Sequence, residues 1–182
     1  MEIFEKTVEK NYVYKGRIIN VRCDKAQLHN GNPCTREVVE HNGGVCIAPI
    51  TENNELIFVR QFRYPYMEMV LELPACKLEL GEDPFEAGKR ELEEETGTVA
   101  EKYYNLGKFY PTPGYCGEII YLYAASDLKS TAMNPDEDEF LEVEKISIDK
   151  AVDMVLNNEI PDGKTQTLIM RVAEMMRRGI IE

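Results

Sequence analysis

The sequence is short of basic residues, and this shortage limits the partners that the chain can bind. It contains 21 lysine and arginine residues against 33 aspartate and glutamate residues, a formal net charge of −12. Proteins that hold nucleic acid through its phosphates need a basic face that releases counterions. We therefore expect no nucleic-acid partner. A phosphorylated small molecule is compatible with this charge, provided that metal ions and a few arginines screen it locally.

Long apolar segments and metal-binding cysteine spacings are also missing. No run approaches the ~20 apolar residues of a membrane span, and the N-terminal segment MEIFEKTVEK lacks the apolar stretch of a secretory signal. The five cysteines show no CxxC pair, and their odd number and scatter are typical of reduced thiols. The sequence therefore predicts a cytoplasmic protein with no membrane partner.

Length and composition predict a globular protein with a real core, because the chain has 182 residues of which 43% are apolar. Residues 1–41 alternate apolar and polar side chains and predict three or so antiparallel strands, which end at the turn signal Asn42-Gly43-Gly44. We therefore predict a small N-terminal antiparallel sheet over residues 1–41 and a main domain over residues 42–182.

The main domain is predicted to mix strands and helices, which places the chain in the α+β class. Apolar, β-branched and aromatic runs predict strands at 45–50, 56–63, 70–75, 99–109, 118–125 and 143–148. Helices are predicted at 149–157 and 164–178. An earlier helix, ending at Thr96, is bounded by its own signals, since Asp83 suits an N-cap, Pro84 a first turn and Gly97 a C-terminal stop.

This earlier helix carries an unusual cluster of carboxylates. Four glutamates crowd directly after Arg90: Glu91, Glu93, Glu94 and Glu95. Like charges this close destabilise a bare helix and raise one another's pKa. Such a cluster either faces water or binds a cation. The helical register puts Glu91 and Glu95 one turn apart, beside the packed stripe and directed along the surface toward neighbouring loops.

The segment 76–98 resembles the sequence box of the Nudix hydrolases, in its predicted context of loop, helix and loop. Its matching positions are Glu82, Arg90, Glu91, Leu92, Glu94, Glu95 and Gly97. Two positions depart from the pattern, since Cys76 stands where the box begins with glycine and Thr98 where an aliphatic residue is usual. Cys76 would strain the backbone if φ is positive there, would be harmless if φ is negative, or would place a redox-sensitive thiol beside the metal site.

Further segments resemble the ADP-ribose pyrophosphatase branch of that family. They are Arg36-Glu37-Val38-Val39-Glu40, Arg60-Gln61-Phe62-Arg63, Glu72-Leu73-Pro74-Ala75, and Pro113-Gly114 followed by Glu118. In that branch a proline falls sixteen residues after the last box glycine, as Pro113 does after Gly97. The resemblance implies a mixed sheet flanked by helices, an α/β/α sandwich, beside the small N-terminal sheet.

The implied activity is metal-dependent hydrolysis of the diphosphate of ADP-ribose to AMP and ribose 5-phosphate. Another nucleotide-sugar, such as GDP-mannose or UDP-glucose, is the alternative substrate within this class. A catalytically silent sensor that binds such a ligand and regulates a partner is the alternative outside it. The metal carboxylates are all present and no basic helix-turn-helix follows the domain, and both features favour the enzyme.

The resemblance also implies a role for individual residues. A site for Mg²⁺, or Mn²⁺, would be made by the backbone carbonyl of Ala75 and three carboxylates: Glu91, Glu94 and Glu95. Oxygen ligands suit these hard cations. Arg90 would tie the helix to the preceding loop. The general base would lie in the later acidic loop, where Glu137 is the first candidate and Glu139 the second, unless that loop is merely solvated.

Substrate contacts are expected at four further residues: Arg63, Arg36, Pro113 and Glu118. Arg63 is the best candidate for binding the diphosphate. The alternative is that Arg63 is an ordinary surface arginine with no role in binding. Glu118 would touch the metal or the ribose. In the family an N-terminal sheet of this kind is commonly exchanged across a two-fold axis, and its exposed strands would otherwise leave unprotected edges. A homodimer is therefore predicted.

Overall fold

The structure is a computed structural model that describes residues 3–134 and 140–181. Both predicted general bases, Glu137 and Glu139, lie outside the described residues. The chain forms two compact units, one of Met1–Gly43 with Tyr110–Ile119 and one of Gly44–Phe109 with Ile120–Glu182. Within the described ranges, no helix has the length and apolar character needed to cross a membrane. All five cysteines are free thiols.

The first unit is built on an antiparallel sheet, in which four strands lie between residues 3 and 43. These strands are β1 (Lys6–Glu9), β2 (Tyr12–Lys15), β3 (Ile19–Gln27) and β4 (Pro33–His41). The long β3 pairs with β1 and β2 along one edge and with β4 along the other. Residues of β1 and β2 are exposed throughout, whereas alternate residues of β3 are buried. The small N-terminal antiparallel sheet is thus present.

The second unit contains the predicted mixture of strands and helices. In chain order, its described elements are β5 (Gly44–Pro49), β6 (Glu55–Arg63), β7 (Glu68–Glu72), β8 (Ala75–Lys77), α1 (Pro84–Thr96), β9 (Thr98–Phe109), β10 (Ile120–Ser130), β11 (Glu142–Ser147), α2 (Ile148–Leu156) and α3 (Gly163–Arg177). The helix predicted from its capping signals is confirmed at both ends, because Asp83 is its N-cap and Gly97 its left-handed C-cap.

Two sheets form the interior of the second unit. A mixed sheet has the order β8-β5-β10-β9, with β5 and β10 parallel, and an antiparallel sheet has the order β11-β6-β7. Strand β5 is buried along its whole length, as expected for a strand covered on both faces. Its Val45 and Ile47 pack in one cluster with Leu92 of α1. Its Cys46 and Ala48 lie in another cluster with α3 residues, so helices flank the mixed sheet and the α/β/α arrangement is confirmed.

A close backbone contact places β8 beside the start of β5. Val45 is paired with Cys76, and a Cβ added to Gly44 would lie 2.8 Å from the Cys76 carbonyl oxygen. Only glycine therefore allows this approach. The short β8 leads into the loop before α1, where Asp83 Oδ1 accepts hydrogen bonds from the amides of Phe85 and Glu86 at 2.9 and 3.1 Å. Strand β8 and helix α1 are thereby fixed next to each other.

Candidate active site

The carboxylates of α1 fall into two groups that differ in burial. Glu91 and Glu95 are 7% and 2% exposed, Glu94 is half-buried and Glu93 is exposed. The expectation that Glu91 and Glu95 point along the surface was therefore wrong, because they share the buried face with Leu92. Burying ionised groups is costly unless they have partners. An ordinary solvated acidic face does not explain this arrangement.

Arg90 binds three carboxylates around the start of this cluster. Its Nη1 donates to Glu91 Oε1 at 2.7 Å and to Glu94 Oε2 at 2.6 Å, and its Nη2 donates to Glu82 Oε1 at 3.2 Å. Because Glu82 lies in the loop before α1, these bonds connect the loop to the helix. Burial raises the pKa of Glu91 although Arg90 and the Cys76 thiol both act to lower it.

The segment before the box reaches the other buried carboxylate. The Ala75 amide donates to Glu95 Oε2 at 3.2 Å, and burial together with the Glu91 carboxylate raises the pKa of the thiol of the next residue, Cys76. Among the described residues, the non-glycine residues with positive φ are Asn54, Met67, Asp127 and Asn158. Cys76 is therefore an ordinary strand residue, and cysteine at this glycine position of the box causes no backbone strain.

A second charged cluster lies around Glu72, at the end of β7. The Arg63 guanidinium makes a two-pronged ion pair with Glu72, at 2.6 and 2.7 Å. Lys164 of α3 also bonds to Glu72 and lies 3.0 Å from Asp162. Arg63 is thus neither a free ligand nor a plain surface arginine. Sequence reasoning missed Lys164 and Asp162, because only the packing of α3 brings them to β7.

The three other predicted substrate residues lie in the first unit. Arg36 and Pro113 line one groove of about 240 Å³ together with their neighbours in 37–38 and 114–117. The guanidinium of Arg36 donates to both carboxylate oxygens of Glu5, at 2.8 and 2.6 Å. Glu118 lies 3.5 Å from His41 Nδ1, which also lies 3.0 Å from the Gly43 amide nitrogen.

The carboxylates of α1 suit a divalent cation in their chemistry. Glu91 and Glu94 both bind one Arg90 nitrogen, so two carboxylate oxygens already converge on a single positive group. Across residues 3–134 and 140–181, no three acidic, histidine or cysteine side chains form a ready metal cluster. The described carboxylates are instead engaged by Arg90 and the Ala75 amide. An all-oxygen donor set on a buried face fits Mg²⁺ or Mn²⁺ better than Zn²⁺.

Family models match almost the whole chain in two consecutive parts. The model of the NUDIX domain matches residues 40–166. The model of the nucleoside diphosphate sugar hydrolase N-terminal domain matches residues 5–39. The first match spans the mixed sheet and α1, and the second spans most of the N-terminal sheet.

Individual proteins of known name are similar over comparable lengths. An ADP-ribose pyrophosphatase of Bacillus subtilis (strain 168) is 38% identical, over 88% of each chain. A methanol dehydrogenase activator of Bacillus methanolicus is 40% identical, also over 88% of each chain. The crystal structure of an ADP compounds hydrolase superposes with a TM-score of 0.84 at 22% identity, covering 97% of each chain. This last likeness shows that the fold is shared.

Proposed function

The chain belongs to the Nudix family, and on that premise we propose that it hydrolyses the diphosphate of ADP-ribose to AMP and ribose 5-phosphate. The observation that carries this proposal is the pair of buried carboxylates, Glu91 and Glu95, on the helix of the box. The similarity to an ADP-ribose pyrophosphatase over 88% of the chain supports the choice of substrate. Pro113, at its spacing from Gly97, supports it too.

The residues that would hold Mg²⁺, or Mn²⁺, are the Ala75 carbonyl and three carboxylates: Glu91, Glu94 and Glu95. A bound divalent cation neutralises charge on the diphosphate and on the leaving oxygen, which is the main requirement of such a hydrolysis. Arg90 would hold the loop and the helix together, since it already bonds to Glu82 and Glu94. Its role is to keep the carboxylates in place.

The hydrolysis adds one water molecule to one phosphorus atom and breaks the P–O–P bond, so two phosphate monoesters leave and no covalent enzyme intermediate is required. The attacking water must lose a proton to a nearby base. We propose Glu137 for that role, with Glu139 as the second candidate. In the second unit, Arg63 would bind the diphosphate by exchanging part of its ion pair with Glu72. In the first unit, Arg36, Pro113 and Glu118 are proposed as further substrate contacts, and Arg36 would exchange part of its ion pair with Glu5 for the substrate.

A panel of substrates tests this proposal most directly. ADP-ribose, GDP-mannose, UDP-glucose and diadenosine compounds are each incubated with Mg²⁺ or Mn²⁺, and the products are separated by chromatography. We expect AMP from ADP-ribose at the highest kcat/KM, and no turnover after chelation of the metal. A higher kcat/KM for GDP-mannose or UDP-glucose would show that ADP-ribose is not the preferred substrate, but it would leave the proposed reaction, hydrolysis of a diphosphate, unchanged. No turnover of any of them would contradict the proposal.

Regulation of a partner is the second candidate function. The similarity to a methanol dehydrogenase activator, at 40% identity, favours it. In that case the chain would bind a nucleotide ligand without hydrolysing it. The same panel separates the two functions when binding is measured by calorimetry beside turnover. Tight binding of ADP-ribose without release of AMP would support a regulatory role and would contradict the proposed hydrolase activity.

We also propose that the protein is a cytoplasmic homodimer. Its free thiols suit a reducing compartment. The N-terminal sheet leaves large apolar side chains mostly exposed, namely Ile3, Phe4, Val8, Val13 and Tyr14. An exposed sheet edge with apolar neighbours is a ready surface for a second copy of the chain. The sheet of residues 1–41 would therefore be the dimerisation element.

A further inference from the structure

The segment Glu72–Ala75 holds the candidate metal ligand Glu95 through its last residue. The Ala75 amide donates to Glu95 Oε2 at 3.2 Å, and just before it the Pro74 carbonyl accepts a hydrogen bond from the Ile47 amide at 3.0 Å. A carboxylate that accepts a backbone amide follows that backbone when it moves. The placement of Glu95 therefore depends on what fixes this segment.

One anchor of the segment is Thr165, in the first turn of α3. Its side chain is fully buried, and its Oγ1 accepts a hydrogen bond from the Leu73 amide at 3.0 Å. Its own amide donates to Asp162 Oδ2, the N-cap of the helix, at 3.0 Å. The hydroxyl is thus held by a capped helix end and satisfies a buried amide that would otherwise lose its partner.

The other anchor is Lys164, which bonds to the Glu72 carboxylate one residue before Leu73. Its side chain is 14% exposed, and its Nζ also lies 3.0 Å from Asp162. A buried ammonium group is costly unless it is paired, so these two contacts fix where the side chain lies. Arg63 holds the same carboxylate from β6. Helix α3 therefore forms hydrogen bonds with two consecutive residues of the segment, Glu72 and Leu73.

We propose that Thr165 and Lys164 are positioning residues for Glu95, acting through the Glu72–Ala75 segment. This inference rests on the proposed function, in which Glu95 binds a divalent cation. Groups that orient metal ligands typically contribute 10–100-fold to metal affinity or activity. If the two residues served the fold alone, their loss would lower stability and leave metal affinity unchanged in the folded protein.

The test compares Thr165→Val with Thr165→Ser and with the matched control Thr167→Val. Thr167 lies on the same helix, and its exposed hydroxyl donates only to the Gly163 carbonyl in the described contacts, at 2.8 Å. Binding of Mn²⁺ alone is measured by electron paramagnetic resonance, without substrate, and kcat and KM for ADP-ribose are measured separately. We expect Thr165→Val to bind Mn²⁺ about 10–100-fold more weakly. Its kcat should fall while KM changes little, and Thr165→Ser and Thr167→Val should match the wild type.

Lys164→Gln serves as a second variant. Glu72 keeps its ion pair with Arg63 in this variant, so we expect a smaller loss of stability than in Thr165→Val, where the buried Leu73 amide loses its hydrogen-bond partner. Lys164→Gln too should bind Mn²⁺ at least about tenfold more weakly. Folded Thr165→Val or Lys164→Gln proteins with wild-type Mn²⁺ affinity would overturn the inference and leave the proposed function intact. A wild type that binds Mn²⁺ but does not hydrolyse ADP-ribose would overturn only the proposed substrate. A wild type that binds no Mn²⁺ would overturn both.

Discussion

At the scale of single residues, the most informative group outside α1 is the Glu72 carboxylate. It is 2% exposed and is held by Arg63 and Lys164. Burial acts to raise its pKa, but the hydrogen bonds and charges of Arg63 and Lys164 outweigh burial and lower it below the ordinary value. Glu72 thus pairs with two cations, and Asp162 gives Lys164 a second acidic partner, so the charges at the end of β7 compensate one another.

This lowered pKa predicts a pH dependence of stability. A carboxyl group whose pKa is lower in the folded than in the unfolded protein stabilises the folded state. The full stabilisation is present when the pH lies above the pKa of the unfolded chain, about 4.3 for glutamate. It is lost as the pH falls through the pKa of the folded state. The free energy of unfolding in urea should therefore fall below about pH 5. Glu72→Gln should weaken that fall and should cost about 1–3 kcal/mol at pH 7, because Arg63 loses its ion pair while Lys164 keeps its contact with Asp162.

The control for this experiment is Glu68→Gln, an exposed glutamate at the start of the same strand. Its stability curve should run parallel to that of the wild type at every pH. If Glu72→Gln and the wild type lost stability in parallel between pH 5 and pH 3, the ion pairs of Glu72 would contribute nothing to the acid sensitivity, contrary to this account.

At the scale of elements, helix α1 depends on the residue that ends it. Gly97 has φ of 60° and closes the helix through its amide, which donates to the Glu93 carbonyl. A Cβ at this position would lie 2.9 Å from both the Thr131 carbonyl oxygen and Met133 Cγ. Both the positive φ and the close approach therefore require glycine here.

Gly97→Ala should lower the free energy of unfolding by about 1–3 kcal/mol, because alanine is strained at positive φ and meets the neighbouring backbone. Thermal or urea unfolding measures the loss. Gly114→Ala is the control, since φ there is not positive and an added Cβ meets no described atom within 4 Å. Equal stability of the two variants would show that the C-cap geometry is wrong.

The same helix shows which features the sequence predicts well. Its ends follow from Asp83, Pro84 and Gly97, because capping is decided by residues within one turn of the helix end. Strands β5 and β6 were also anticipated, since buried strands carry continuous apolar runs. The burial of Glu91 and Glu95 was not, because it depends on the strands that α1 packs against and not on the helix itself.

Contacts between distant segments of the chain escaped sequence reasoning. Lys164 meets Glu72, and Thr165 meets Leu73, across 92 residues of sequence. No local sequence pattern predicts these two contacts, because both form only when α3 packs beside the end of β7. Residues 110–119 likewise belong to the first unit, although they follow β9 of the second. The residue types of the box and the connection of Arg90 to the preceding loop could be read from the sequence, whereas the contacts made by α3 could not.

At the scale of the whole molecule, the proposed homodimer makes a prediction about the N-terminal sheet. Phe4 and Val13 are 63% and 60% exposed, and burying such apolar side chains would stabilise a dimer. Sedimentation at micromolar concentration should give a dimer, and Phe4→Asp with Val13→Asp should shift it toward the monomer. Leu80→Asp is the control, because Leu80 is 90% exposed in the other unit. A wild type that sediments as a monomer would contradict the proposal.

The central claim, that buried carboxylates of α1 support metal-dependent hydrolysis, is tested most directly by one pair of variants. Glu95→Gln removes the charge of a buried carboxylate, whereas Glu93→Gln changes an exposed one on the same helix. Release of AMP from ADP-ribose with Mg²⁺ should fall about 100-fold or more in Glu95→Gln and stay at the wild-type rate in Glu93→Gln, with both proteins folded. Wild-type turnover by Glu95→Gln would contradict the account.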